Sequence, residues 1–320
     1  MDWPGDDMSG LLMIVRAIHF SSTAILAGAL IFWAVVAEPA LRSAEAIAVI
    51  VRTQALRVAW TALAVAMASG VIWVLLQAAA MSGRSFGEAM TADVMSSVVT
   101  ETQFGLVSEI RLLLAIILAG CLTYDRPAPL RWLGLASAVG LVATIAWTGH
   151  AGAGVGALAI PQLAADVFHL IAAAAWLGGL VSLAVLLAAA RDDSGDAWAP
   201  VVRGATERFS TLGIVSVGTI LATGIVNSGI LVGSLHALTI TEYGRLLVLK
   251  TGLFAIMVLI AAVNRFWLTP RLALRSASAP PRRVLRRLTR NSIIEIALGL
   301  AIFAIVGALG TMHPAIHFEG

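Results

Sequence analysis

The sequence predicts an all-α, polytopic membrane protein with eight transmembrane helices. Hydrophobic residues make up 59% of its 320 residues and charged residues only 12%, which is about half the charged share of an average soluble domain. Apolar runs of about 20 residues can each cross a bilayer as a helix. Such runs occur at 10–36, 56–80, 104–123, 131–149, 162–190, 209–232, 245–268 and 292–312. They lack the alternation of membrane strands, and they leave no room for a sizeable soluble domain.

The first run is expected to be a true membrane helix. The residues before it, MDWPGDDMSG, are acidic rather than basic, whereas a cleavable signal begins with a positive segment. The third run holds the only cysteine, Cys121. A single thiol excludes a disulfide framework and any multi-cysteine metal site, so we expect Cys121 to serve as a small buried residue.

The basic residues predict the orientation of the helices. The connections 38–57, 124–131, 191–208 and 265–290 hold three, two, three and eight Lys or Arg residues, while the alternate set of connections holds only Arg84. Cytoplasmic loops carry this excess of positive charge. We therefore expect both termini to lie outside the cytoplasm and segment 265–290 to lie inside it.

An internal repeat divides the chain into two predicted four-helix units, residues 1–150 and 151–320. TQFGLVSEIR at 102–111 matches TEYGRLLVLK at 241–250, and ASGVI at 68–72 matches ATGIV at 222–226. A nine-residue step separates His19 from Gly28 and His169 from Gly178. WTGHA at 147–151 resembles GTMHP at 310–314. Because both units begin with an inward helix, the duplication is parallel, about an axis along the membrane normal.

Imidazoles gather at the predicted outer side of the membrane. All six histidines fall there, and the repeat pairs His19 with His169 and His150 with His313. We predict that these four are the principal metal ligands, with entry ligands in the outer segments: Met13, Met312, His236 and His317. Asp166 and Arg16, each three residues before its histidine, are expected to support the ligands and to pair across the axis. A structural role for the lone His169, and interfacial snorkelling for Arg16, remain alternatives.

This donor set favours copper. Imidazole binds Cu(I), Cu(II), Zn and haem iron, and thioether sulfur adds a preference for Cu(I). A metal-bound histidine commonly donates a hydrogen bond from its second ring N–H to a carboxylate such as that of Asp166. A b-type haem protein is the alternative, because two histidines on different membrane helices also hold haem. The motifs of hydrolases, P-loops and dinucleotide sites are not found, so we expect a protein that is not an enzyme.

Other charged residues fall inside the predicted helices. Glu109, Arg111 and Lys250 lie near outer ends and are expected at the interface. Glu295 lies near the inner end of the eighth helix. We expect it to face Arg290 or another basic residue, with a proton or ion path as the alternative.

The chain resembles the CopD family of copper-resistance inner-membrane proteins. The resemblance is carried by FHLIAAAAWLGGL (168–180), the block RFSTLGIVSVGTILATGIVNSGILVGSLHALTITEYGRLLVLK (208–250), NRFWLTPRL (264–272) and RRLTRNSIIEIALGL (286–300). AIHFSSTAILAGAL (17–30) agrees more loosely. The resemblance implies a bacterial inner-membrane protein that moves copper towards the cytoplasm with a separate periplasmic CopC-like partner. A docking scaffold for that partner, without transport, is a third reading.

Overall fold

A computed structural model describes residues 4–84, 86–124, 127–149, 159–192, 197–232, 236–273 and 282–312. Within them, eight helices are long and apolar enough to cross a membrane, and no strand occurs. They are α1 (Ser9–Ala40), α2 (Glu45–Ser82), α3 (Gln103–Thr123), α4 (Ala128–Thr148), α5 (Ala159–Arg191), α6 (Trp198–Ile230), α7 (Glu242–Leu272) and α8 (Arg282–Leu309). This confirms the predicted all-α membrane architecture.

Three helices begin well before the apolar runs that predicted them. Helices α2, α6 and α8 start at Glu45, Trp198 and Arg282, each about ten residues before the predicted span. The added turns are rich in arginine and alanine, which are good helix formers. Hydropathy detects only the part of a helix that lies in lipid, so it misses these extensions. We call the end of the bundle that carries them the arginine-rich end and the opposite end the histidine end.

Two helices contain a π-helical segment that ends two residues before a proline. Trp33–Ala37 precedes Glu38 and Pro39 in α1, and Asn264–Leu268 precedes Thr269 and Pro270 in α7. Proline lacks an N–H and its ring displaces the carbonyl four residues earlier. The wider π turn relieves that conflict, and α1 continues past its proline to Ala40 and α7 to Ala273.

Helices α1 and α5 form the centre of the bundle and touch through their backbones. A Cβ atom on Gly28 would lie 2.0 Å from the carbonyl oxygen of Ala174, and one on Gly178 would lie 2.7 Å from the Cα atom of Gly28. Glycine permits such close approach of membrane helices. Around this crossing, α1 packs on α2, α4 and α8, and α5 packs on α4, α6 and α8.

The outer surface of the bundle is apolar and the buried positions include polar side chains. Ile225, Phe266 and Trp267 are among the exposed residues, whereas Ser292 and Glu295 are buried. In lipid, burying apolar side chains between helices brings no hydrophobic free energy, so polar side chains occupy the interior of the bundle. The structure describes a multi-pass membrane protein.

Some contacts in the two predicted repeats resemble each other. The Thr102 hydroxyl accepts a hydrogen bond from the Gly105 backbone N–H at 3.0 Å at the start of α3. Thr241 caps α7 in the same way, accepting from Gly244 N–H at 2.9 Å. These caps and the Gly28–Gly178 contact are what a pseudo-twofold arrangement produces. The duplication and its boundaries at residues 1–150 and 151–320 stay a prediction that these contacts support.

Candidate functional site

His19 is buried in α1 and hydrogen-bonded at both ring nitrogens. Its Nδ1 atom lies 2.9 Å from the carbonyl oxygen of Ala66 and 3.1 Å from the Ser69 hydroxyl. Its Nε2 atom contacts the Arg111 guanidinium. Arginine only donates hydrogen bonds, so Nε2 accepts and carries the lone pair. The proton therefore sits on Nδ1, which donates to Ala66.

His169 occupies the matching place in α5 and is also hydrogen-bonded through its Nδ1 atom. Its Nδ1 atom lies 2.9 Å from the hydroxyl oxygen of Thr223. That hydroxyl already donates its own proton to the carbonyl of Thr219 at 2.6 Å, so it accepts from His169. The lone pair again falls on Nε2. His169 also has a hydrogen bond with the Ile220 backbone.

The two imidazoles thus have equivalent surroundings on matched helices. Ser69 corresponds to Thr223 in the repeat, and the glycine that follows each faces the imidazole. A Cβ on Gly70 would approach the Cε1 atom of His19 at 3.1 Å, and one on Gly224 would approach that of His169 at 3.7 Å. A hydroxyl on the neighbouring helix orients Nδ1 in both cases. Such anchoring through one nitrogen is common for metal-ligating histidines.

A polar cavity of about 130 Å³ lies between the two halves at the histidine end. It is lined from α1 by Arg16 and Phe20 and from α5 by Asp166 and Leu170. These are the residues three before and one after each histidine. The remaining polar lining side chains are Thr148, Gln162, Asn227, Tyr243 and Lys250.

The charges around this cavity do not by themselves favour a cation. Arg16 and Lys250 carry two positive charges against the single carboxylate of Asp166. The Asp166 Oδ1 atom accepts a hydrogen bond of 3.4 Å from the Asn227 amide, and Lys250 is close enough to act on it electrostatically. Ligands for a metal ion would therefore have to be the imidazoles beside the cavity.

Arg16 lies in the same cavity as Asp166, as the repeat predicted, but the described residues contain no ion pair between them. The guanidinium of Arg16 instead stacks 5.4 Å from the Phe20 ring centroid and 5.3 Å from that of Trp73. Arg16 is buried, which excludes the alternative that it snorkels to the headgroups. Its Nε atom makes no hydrogen bond within the part of the chain described.

The predicted cluster of metal ligands is not assembled among the described residues. They contain no group of three or more His, Cys, Asp or Glu placed to hold a metal ion. Each of His19 and His169 is hydrogen-bonded within its own half. His150, His313 and His317 lie outside the described residues. In the sequence, His150 directly follows Gly149 and His313 comes three residues after Gly310, and both glycines line the cavity.

The predicted entry ligands are dispersed. Met312 packs against a small apolar cluster that includes Tyr243 and Leu309. The backbone of Met13 faces Gly307, which joins α1 to α8. His236 is exposed, and its carbonyl caps a short turn through Thr239. Their role as copper ligands stays a prediction.

Sequence reasoning placed Arg111 and Lys250 wrongly at the membrane interface. Arg111 is buried and also donates to the Leu141 carbonyl and the Thr144 hydroxyl, at 3.0 Å each. Lys250 is partly buried and lines the cavity. The predicted repeat offered a clue to their burial, because it aligned these two cations with each other on matched helices. Glu109 is exposed, as expected for an interfacial side chain.

Glu295 also differs from expectation. Its Oε1 atom accepts a hydrogen bond of 2.7 Å from the Asn264 amide, and among the described residues it forms no ion pair with Arg290 or another arginine. Arg265 lines the same cavity as Glu295 but donates to Ser210.

Two family models match the chain. The description "Copper resistance protein D-like, N-terminal domain" matches residues 6–160, and "Copper resistance protein D" matches residues 203–309. Between them they span most of both predicted halves.

Three relatives are similar to the chain over long stretches. Copper resistance protein D of Pseudomonas syringae pv. tomato is 30% identical over 249 residues, covering 76% of this chain and 79% of the relative. Inner membrane protein YebZ of Escherichia coli K12 is 33% identical over 251 residues, covering 76% and 82%. Copper transport protein CutJ of Bacillus subtilis 168 is 32% identical over 180 residues, or 55% of this chain and 29% of that longer protein.

The family models cover parts of both halves, including the helices that carry His19, Arg111 and Lys250, while His169 lies between the two matched ranges. The predicted resemblance is thereby confirmed, and the chain belongs to the copper resistance protein D family.

Proposed function

We propose that this protein accepts copper at the histidine end of the bundle and passes it towards the arginine-rich end. The observation that carries this proposal is the pair of matched imidazoles, His19 and His169. Each is anchored through Nδ1 and keeps its lone pair on Nε2. The residues three before and one after each of them line one cavity, and the chain belongs to a copper-resistance family.

The two histidines differ in how readily they would accept a metal ion. The Nε2 atom of His19 is covered by Arg111, whose guanidinium must swing away first. Lys250, which is more flexible than arginine, acts on His169 electrostatically, and no guanidinium contact with His169 is found among the described residues. His169 is therefore the first ligand in this scheme, with His150 and His313 as its proposed companions. Asp166 supplies a negative charge beside them, and Met13, Met312, His236 and His317 remain proposed entry ligands.

In the cell, this scheme places the histidine end in the periplasm and the arginine-rich end in the cytoplasm, with the chain in the bacterial inner membrane. A periplasmic CopC-like protein would deliver Cu(I) or Cu(II) to the histidine end. The family resemblance and the distribution of arginines support these assignments. The proposed role is binding and passage of copper, without a catalytic step.

Copper binding by the purified protein tests the imidazole assignment. We expect the double substitution His19→Ala with His169→Ala to weaken copper binding roughly tenfold or more, as loss of metal-site groups commonly does. Copper per protein after equilibration with Cu(I) and with Cu(II), measured by atomic emission, is the readout. Cys121→Ser is the matched control, because it removes the only thiol from a buried position. Copper binding that the double substitution leaves unchanged would refute the assignment.

Two further measurements separate this proposal from the alternatives. A Soret band in the purified protein would favour haem over copper. The cavity has a volume of about 130 Å³. That volume argues against haem, because even pockets for drug-sized ligands have volumes of about 300 Å³ or more. Copper uptake into vesicles that contain the protein, compared with empty vesicles, separates a transporter from a docking scaffold.

A further inference from the structure

Glu295 is buried inside the bundle near the arginine-rich end of α8. It is 1% exposed and lines a second cavity, of about 380 Å³, formed by α5, α6, α7 and α8. The Asn264 amide donates to its Oε1 atom at 2.7 Å, and Asn264 in turn accepts from the Asn291 amide at 2.7 Å. The carboxyl group is thus the last acceptor in a short chain of amides.

No cation neutralises this carboxyl group within the part of the chain that the structure describes. From α7, the Arg265 guanidinium lines the same cavity, but it donates to the Ser210 hydroxyl at 2.6 Å and lies over the Phe266 ring. Helix α6 contributes only hydroxyl and apolar groups to the cavity, and α5 contributes apolar ones. On α8 itself the neighbouring polar groups are Asn291 and Ser292.

An ionised carboxylate is strongly disfavoured in such a place. Removal from water costs a charge far more than one neutral amide returns. The group must therefore be protonated or hold a cation. The atoms around it that could ligate a metal ion are amide and hydroxyl oxygens, whereas Cu(I) prefers sulfur and imidazole nitrogen. A proton is the ligand that these groups suit.

The backbone next to Glu295 is also specialised. Asn264 opens the π-helical segment Asn264–Leu268, and its carbonyl accepts from the Thr269 hydroxyl at 2.9 Å. Single π turns are frequent at functional sites because they redirect a side chain. Here the turn places the amide that holds Oε1, which leaves Oε2 as the oxygen that carries a proton.

We propose that Glu295 is a reversible proton-binding site in the buried interior of the bundle. Its carboxyl group holds a proton while Asn264 bonds to Oε1, and it exchanges that proton through the second cavity towards Ser210 and Arg265. This site stands independently of copper handling, since neither the contacts nor their test involves a metal ion.

Infrared spectroscopy of the purified protein without copper tests the proposal. We expect a carboxylic-acid C=O band that shifts in D₂O, weakens as the pH is raised, and disappears in Glu295→Gln. Glutamine keeps the oxygen that accepts from Asn264, so this variant should fold. Asn264→Ala provides a second route: it removes the hydrogen bond to Oε1 and should shift the same band.

The matched control is Glu38→Gln. Glu38 forms an ion pair of 3.0 Å with Arg131, and both side chains are partly exposed, so this carboxyl group lies outside the proposed site and its replacement should leave the band intact. The proposal is overturned if the carboxylic-acid region is the same in the parent, Glu295→Gln and Asn264→Ala proteins.

Discussion

At the scale of single residues, the side chain that decides what His19 can do is Arg111. A buried guanidinium that donates to Nε2 fixes the imidazole tautomer and at the same time blocks its free nitrogen. Lysine occupies the matching position in the second half. A lysine ammonium is a mobile point charge, whereas arginine presents a rigid fork of donors. The two halves therefore differ in accessibility although their histidines are anchored alike.

We predict that Arg111→Leu destabilises the protein. The change removes hydrogen bonds to His19, Leu141 and Thr144 and leaves their acceptors buried. A hydrogen bond that involves a charged group contributes about 1.5–3 kcal/mol, so we expect a clear fall in the thermal unfolding temperature in detergent. Glu109→Gln, an exposed change two residues earlier on the same helix, should leave that temperature unaltered. Equal unfolding temperatures for the parent and Arg111→Leu proteins would contradict this role.

At the scale of helices, the α1–α5 crossing holds the two halves together. Backbones in direct contact leave no space for a methyl group. Because both neighbours at Gly28 are backbone atoms, a rotamer change cannot relieve a clash there. The helices would have to separate and lose packing along their length.

We predict that Gly28→Ala strongly reduces the yield of folded protein. Overpacking costs typically about 1–3 kcal/mol where side chains can adjust, and here they cannot. Gly218→Ala in α6 is the matched control, since a Cβ there meets nothing within 4 Å. Monodisperse protein in size-exclusion chromatography, measured for both variants, is the readout. Similar yields would show that the crossing is more adaptable than its geometry indicates.

At the scale of the whole molecule, the orientation in the membrane rests on the distribution of arginine. Most of the cations lie in connections at one end of the bundle, with eight in segment 265–290. Moving such a segment across the membrane is unfavourable. The orientation stays a prediction that labelling can test.

We predict opposite labelling of two introduced cysteines in a Cys121→Ser background. His236→Cys, at an exposed position near the histidine end, should react with an impermeant maleimide in spheroplasts. Arg286→Cys, exposed at the arginine-rich end, should react only after permeabilisation. The reversed pattern would invert the proposed direction of copper movement.

Sequence reasoning predicted the number and class of the helices because both depend on local hydropathy. It also predicted a repeat and, through it, singled out the two histidines and their glycines. It misjudged Arg111, Lys250 and Glu295 because a charge near the end of an apolar run looks alike whether it faces lipid headgroups or a neighbouring helix. Helix rotation decides between these, and rotation depends on packing.

Composition and periodicity alone thus determined that this chain is an eight-helix membrane protein with imidazoles towards one end. The pairing of Arg111 with His19, the shared cavity of Arg16 and Asp166, and the amide contact of Glu295 were decided only by tertiary structure. Those contacts join residues that lie between 31 and 150 positions apart in the sequence. Their geometry follows from how close the α1–α5 crossing and the π turn bring the helices, which no single stretch of sequence encodes.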